Sequence, residues 1–186
     1  MTFTPEQLQT WMKSEEDEHL EFKEAKAEFK FKDLARYCAA IANEHGGKLI
    51  LGVTDKRPRK VVGSLAFQNL NDTKARLLDK LHIRVDAETI PHPDGRVVVF
   101  NVPSRPIGAP IHCEGAYLMR SGRALVSMTS DQLKAIFNEA GPDFSYEICP
   151  QASVSDLDPD AIEIFRSKWI KNRATKLSQA FPLSNS

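Results

Sequence analysis

The sequence predicts a mixed α/β fold, in which helices pack on a mixed β-sheet and a short helical tail follows. Two strand patterns enclose the clearest helical pattern of the chain, which covers about residues 31–44. Two hairpin-like pairs of strand patterns come later, one with Asp94-Gly95 in its turn and one around Gly115. We expect a domain over residues 1–141, a linker over 142–157 and a helical tail over 158–186.

The first predicted elements are a short helix and a strand. Thr4 is a capping residue, and Pro5 suits the first helical position. A strand is predicted over residues 20–25, because apolar and charged residues alternate there with a period of two. This alternation predicts one buried and one solvent-exposed face, the first carrying Leu20 and Phe22 and the second Glu21 and Lys23.

A helix from about Phe31 to Glu44 comes next. Its apolar stripe has helical spacing and consists of Phe31, Leu34, Ala35, Cys38, Ile41 and Ala42, with Asn43 off the stripe. Gly46 and Gly47 follow, and either they end the helix as a left-handed cap or they let a backbone or a phosphate approach closely. The nearly continuous apolar run from Lys48 to Val53 predicts a central strand covered on both faces.

The remaining elements follow from shorter patterns. Residues 61–63 predict a short edge strand, and residues 71–81 predict a helix with an apolar side of Leu77, Leu78 and Leu81. The two hairpins pair residues 84–90 with 97–102 and enclose Gly115, with a further turn at Ser121–Arg123. A last helix of the domain begins after Thr129 and ends before Gly141, with Leu133, Ile136 and Phe137 predicted to face inward.

Composition excludes several classes of protein. The chain has 186 residues, 41% of them hydrophobic and 27% charged, as in ordinary globular proteins. No apolar run approaches the ~20 residues that span a bilayer, and no signal peptide is recognisable. Three scattered cysteines, Cys38, Cys113 and Cys149, predict reduced thiols in a cytoplasmic protein without a zinc site. Basic and acidic residues balance at 25 each, so nucleic acid would have to bind to a local patch.

Carboxylates are concentrated where the first two strands end. Glu16 lies just before the first strand, Glu21 lies within it, and Asp55 ends the second apolar run. Like charges repel, and a divalent cation bound by these oxygens would relieve the repulsion. Mg²⁺ or Mn²⁺ is therefore one prediction, with Lys23 left to steady a phosphate or activate a water. The alternative is a set of ion pairs on a solvated strand.

A basic turn directly follows Asp55. We use this name for residues 56–60, whose four cations are Lys56, Arg57, Arg59 and Lys60. Such a turn is either simply solvated or suited to the phosphates of a nucleic-acid backbone. Arg120, in the second hairpin, is either a strand cation paired with an acid or part of the same groove.

One ordered set of motifs resembles the Schlafen AlbA-like domain family. The set comprises Glu16, Glu21-Phe22-Lys23, Ile41 to Gly47, Leu51 to Asp55 and Tyr117 to Gly122. The resemblance covers about residues 14–140 and implies a mixed α/β domain that binds nucleic acid, found in bacterial regulators and animal Schlafen proteins. Some animal members are metal-dependent ribonucleases that act on transfer and ribosomal RNA through two glutamates and an aspartate. By motif, those acids correspond to Glu16, Glu21 and Asp55.

Three functions follow as hypotheses. The first is a non-catalytic DNA- or RNA-binding module of a regulator, and the second is a metal-dependent endoribonuclease that uses the three carboxylates. The third is nucleotide (ATP) binding through Asn43, Gly46 and Gly47. The tail has an apolar stripe of Ile162, Phe165 and Trp169. Either this stripe packs back on the domain, or it pairs with a second copy in a homodimer, or its partner is a missing C-terminal domain, which is the outcome that we expect.

Overall fold

The computed structural model describes residues 3–141, 150–151, 153 and 156–180, with the backbone alone for 172–180. The chain divides into two compact units, residues 1–141 and 142–186. Cys149 and most of the predicted linker lie outside the described residues. In the described part of the chain, no helix combines the length and apolar character needed to cross a membrane.

The first unit contains two β-sheets. The larger sheet has four strands, which are β1 (Leu20–Lys23), β2 (Gly47–Leu51), β3 (Asp86–Ile90) and β4 (Val97–Val102). Their order across the sheet is β1-β2-β4-β3, with β1 and β2 parallel and the other two pairs antiparallel. The smaller sheet has the order β5-β6-β7, formed by β5 (His112–Cys113), β6 (Ala116–Ser121) and β7 (Ala124–Ser127). The predicted central strand and both hairpins are confirmed.

Five helices are described. They are α1 (Pro5–Lys13), α2 (Phe31–Asn43), α3 (Leu70–Leu81), α4 (Ser130–Asn138) and α5 (Pro159–Ala180). Thr4 and Thr129 cap α1 and α4, each in a capping box with the glutamine three residues later. The predicted mixed α/β class is therefore confirmed.

The larger sheet is buried on both faces. On one face, α2 and α3 pack over Leu49, Leu51 and Phe100. On the other, Leu8 of α1 packs with Phe22, Ile50 and Val99. Burial of apolar surface on this scale supplies the main driving force for folding, at about 25 cal/mol per Å².

One expectation about β1 is wrong. Its charged residues were predicted to face solvent, but Glu21 is only 2% exposed and Lys23 is half-buried. The cause is tertiary, because this face of β1 is covered by Tyr37 of α2 and Arg120 of β6. Alternation along a strand indicates which residues share a face, but whether that face is exposed to solvent depends on how the rest of the chain packs.

Smaller expectations are also corrected. Residues 61–63 form no edge strand but a single bridge between Val53 and Val61. Leu78 and Phe137 were predicted to face inward but are exposed, whereas Leu77, Leu81 and Ile136 on the same helices are buried. A hydrophobic residue on the flank of a helix stripe often remains at the surface.

The second unit is described mainly through α5. The predicted helix at Pro159 is present, and Phe165 and Trp169 are both exposed, as are Ile164 and Ile170. Apolar side chains thus lie on more than one side of this helix, in contrast to the single stripe predicted. A missing C-terminal domain and a homodimer remain predictions.

Candidate functional site

A buried ion-pair network holds Glu21 at the first strand. Its Oε1 lies 2.5 Å from Lys23 Nζ, and its Oε2 pairs with Arg120 Nη2. The Arg120 side chain is fully buried, and Nη2 also donates to the carbonyl of Asp17. Arg120 Nε and Nη1 are buried without a hydrogen-bond partner in the described part of the chain. Arg120 is therefore a structural cation that pairs with Glu21 and offers no exposed surface to a phosphate.

Lys23 connects this network to Asp55. Its Nζ lies 3.6 Å from Asp55 Oδ2 and 5.1 Å from the centre of the Tyr37 ring. Burial lowers the pKa of Lys23, but the hydrogen bond to Glu21 and the charges of Glu21 and Asp55 outweigh it, so the pKa is raised above its ordinary value. Lys23 is thus held as an ammonium and cannot serve as a base near neutral pH.

Glu16 is held by two arginines. Its carboxylate lies 3.8 Å from Arg59 Nη2 and 2.5 Å from Arg123 Nε, and it also accepts from the backbone N–H of Phe22. The side chain of Glu16 is only 3% exposed. The hydrogen bond to Glu16 raises the pKa of Arg123.

The predicted carboxylates do not form a metal-binding group in this arrangement. No cluster of three or more histidine, cysteine, aspartate or glutamate side chains that could hold a metal occurs among the described residues. Glu16 and Glu21 are instead neutralised by arginine and lysine. One atom departs from this pattern, because Asp55 Oδ1 is buried and has no hydrogen-bond partner in the described part. The prediction of Mg²⁺ or Mn²⁺ therefore stays a prediction.

The basic turn divides into structural and exposed cations. Arg59 is buried, stacks 4.1 Å from the centre of the Phe22 ring, and donates to the carbonyls of Met12 and Ser14. It therefore anchors the turn to the end of α1, and the prediction that it grips phosphate is corrected. Lys56 and Lys60 are exposed.

Of the open grooves that border the basic turn, two are lined by both Lys56 and Arg57. One, of about 510 Å³, is lined by Glu15, Glu16, Lys56, Arg57, Arg59 and Arg123. The other, of about 650 Å³, is lined by Glu24, Thr54, Asp55, Lys56, Arg57, Pro58 and Lys60. Lys56 and Arg57 thus lie between the two grooves, and Asp55 borders the second.

The residues proposed to hold a nucleotide have structural roles. Asn43 is buried, and its Nδ2 donates to the carbonyls of Ile111 and Leu118 while its Oδ1 accepts from the Ile111 N–H. A Cβ at Gly46 would lie 2.7 Å from the carbonyl oxygen of Val102, and one at Gly47 would lie 2.2 Å from that of His19. The absence of a side chain at Gly46 and Gly47 therefore allows the neighbouring backbone segments to approach closely. Close approach of a backbone was one of the interpretations left open by the sequence.

Sequence reasoning missed two side chains of this site. Arg123 bonds to Glu16 and donates from Nη2 to the carbonyl of Asp55. Tyr37 lies beneath both Lys23 and Arg120. Arg123 was visible as a second cation three residues after Arg120, whereas Tyr37 gave no signal because it lies off the apolar stripe of α2.

Comparison with known families gives one match that covers most of the first unit. A profile of the family described as Schlafen, AlbA_2 matches residues 16–129, which span the two acidic strand ends and the Arg120 hairpin. The comparison with curated proteins gave no match.

Two solved structures are similar to this chain, and the first of them shows the same fold. The DIP2311 protein from Corynebacterium diphtheriae matches 87% of this chain with a TM-score of 0.56 and 16% identity. The match covers 37% of that protein's chain, so this chain corresponds to only part of it. The N-terminal domain of a RecG-related protein from Nitrosomonas europaea matches 70% of this chain and 94% of its own, with a TM-score of 0.47 and 18% identity.

Proposed function

The chain belongs to the Schlafen, AlbA_2 family, and from this premise we propose that its domain binds nucleic acid through the sugar–phosphate backbone, as the non-catalytic module of a regulator. The binding surface is the basic turn together with the two grooves beside it. The total charge of the chain is zero, so the attraction has to come from this local surface.

The proposal rests on the exposure of Lys56 and Lys60 and on their lack of ion pairs within the described residues. Both are exposed, and neither forms an ion pair within the described residues, while both line a groove. Arg57 lies between them in the sequence, and its one ion pair within the described residues is at the surface, with Glu15, whose side chain is 88% exposed. A solvent-exposed pair of this kind is weak, so a phosphate can replace Glu15 at little cost.

The buried charges support a binding role in a different way. Glu16 and Glu21 are neutralised by cations that are themselves buried or hydrogen-bonded. These pairs fix the strand ends and the basic turn relative to one another. The free positive charge of the site then lies on the exposed lysines, where released counterions would favour association with a polyanion.

Binding is tested with labelled transfer RNA and single-stranded DNA in chelator, by fluorescence anisotropy over a series of salt concentrations. We expect Lys56→Gln/Lys60→Gln to weaken binding of both and to reduce the slope of log K against log salt by about 1.4–1.8, because each lost phosphate contact contributes about 0.7–0.9. The control Arg84→Gln/Lys134→Gln removes the same charge from exposed positions outside the grooves and should leave the slope unchanged. Absence of binding by the wild type, or equal slopes for the two double variants, would refute the proposal.

One observation keeps an endoribonuclease as the second candidate. Asp55 Oδ1 is buried without a partner, and such an atom is costly unless something binds it. Repeating the assay with Mn²⁺ in place of chelator, and reading RNA length on a denaturing gel, separates the two. Cleavage that requires Mn²⁺ and disappears in Asp55→Asn would favour the nuclease, and intact RNA throughout would favour the binding module.

A further inference from the structure

We propose that Arg123 is a second phosphate-binding arm of the site, in the groove of about 510 Å³ that it lines together with Lys56 and Arg57, and that Glu16 is the residue that positions it. This inference rests on the proposed function. It assigns to Glu16 a role other than metal binding, and it adds a contact on the turn between β6 and β7, which lies far in sequence from residues 56–60.

The bonding of Arg123 leaves it both fixed and available. Its Nε bonds to Glu16 Oε2 at 2.5 Å, and its Nη2 donates to the carbonyl of Asp55 at 3.0 Å. Its Nη1 donates no hydrogen bond within the described residues, and the side chain is 63% exposed. An arginine held in this way loses little further conformational entropy when it binds a ligand.

The groove presents two exposed guanidinium groups from separate turns. Arg123 lines it from the turn between β6 and β7, and Arg57 lines it from the basic turn, where it is held by Glu15 and by the carbonyl of Lys13. The volume of the groove, about 510 Å³, lies within the range of about 300–1,000 Å³ that is usual for small-ligand sites. Guanidinium groups match the geometry of phosphate oxygens. A phosphodiester group is therefore the chemical class that fits here.

Substitution of the two glutamates of the groove should have opposite effects on the affinity for a polyanion. Glu15 is exposed, and its one ion pair among the described residues is with the surface cation Arg57, so it competes with phosphate. The side chain of Glu16 is buried, and its negative charge is neutralised by ion pairs with Arg59 and Arg123. If charge alone mattered, removing either acid would strengthen binding of a polyanion. A positioning role for Glu16 predicts the reverse, because Arg123 would lose the bond that fixes its guanidinium.

The experiment measures the dissociation constant of labelled transfer RNA in chelator for wild type and single variants. Arg123→Gln should raise it about fivefold, the effect of one exposed ion pair, and lower the salt slope by about 1. Arg123→Lys should keep the slope but not the full affinity, since lysine cannot make both positioning bonds. Arg84→Gln, on an exposed arginine that precedes β3 at the far edge of the larger sheet, should behave as wild type.

Variants of the two glutamates test the positioning role of Glu16. Glu15→Gln should strengthen binding or leave it unchanged, whereas Glu16→Ala should weaken it while retaining the far-UV circular dichroism of the wild type. Stronger binding by Glu16→Ala would overturn the positioning role. If that variant does not fold, Arg123→Lys decides, because affinity equal to wild type would overturn the role equally.

The outcomes also separate this inference from the proposed function. Failure of the wild type to bind would refute both. Binding that depends on Lys56 and Lys60 but is unchanged in Arg123→Gln would refute only the second arm.

Discussion

Replacing Arg120 with alanine should destabilise the first unit strongly. The Arg120 side chain is fully buried and pairs with Glu21, which is itself 2% exposed. Breaking a buried ion pair by removing one partner costs about 3–5 kcal/mol, because the other charge stays buried. Lys23 still contacts Glu21 at 2.5 Å, so we expect the lower end of this range, about 3 kcal/mol.

Urea denaturation followed by circular dichroism measures this loss. With an m-value of about 2 kcal/mol/M, a loss of about 3 kcal/mol lowers the midpoint by about 1.5 M without changing the slope. Arg84→Ala is the matched control, since its side chain is exposed, and should change stability by less than about 0.5 kcal/mol.

A double-mutant cycle separates the ion pair from simple loss of packing. Arg120→Met fills most of the same volume, and combined with Glu21→Gln it removes both charges together. The double variant should be more stable than the sum of the two single losses predicts, because neither group is then left buried and charged. A loss below about 1 kcal/mol in Arg120→Ala, or additive single losses, would show that the pair does not stabilise the fold.

The remaining predictions concern pH and the tail. The raised pKa of Lys23 contributes stability that is complete below the unfolded pKa of about 10.4 and is lost as pH rises through the folded value. Midpoints measured across alkaline pH should therefore fall less steeply in Lys23→Met than in wild type, and parallel curves would contradict the linkage. Removal of residues 143–186 should leave the melting temperature of the first unit unchanged, as a thermal scan would show. A lower melting temperature would make the tail an integral part of the domain.

The order and type of the elements could be predicted because each carries its own local signal. Thr4 and Thr129 mark helix starts through side-chain caps, and Asp94-Gly95 marks the turn between two strand patterns. These signals depend on neighbours within a few residues, so they survive without knowledge of the tertiary structure. The edge strand predicted at residues 61–63 is absent because a strand also needs a partner, which local signals do not reveal. The partner strand ends early, so that only one bridge forms, between Val53 and Val61.

The composition of the site could be predicted, but the roles of its residues could not. The parallel pairing of β1 and β2 brings Lys23 and Asp55 together after the two strands, at the same edge of the sheet. Glu16 precedes β1 and reaches the site because its carboxylate folds back to accept from the backbone N–H of Phe22. What the sequence could not reveal is burial. Arg59 and Arg120 resemble surface cations in the sequence, and only the packing of α1, α2 and β6 around them makes them structural.

The charge balance of the site explains why the same acids are compatible with two functions. Within the described residues, four cations (Lys23, Arg59, Arg120 and Arg123) accompany the three acids. A divalent cation would meet this positive excess, so metal binding would require some of these pairs to open. The contact between Lys23 and Asp55, at 3.6 Å, is the longer of the two lysine contacts, and Asp55 also has the unpartnered oxygen. Asp55 is therefore the acid whose substitution best distinguishes a nuclease from a binding module, whereas Glu21 would report mainly on folding.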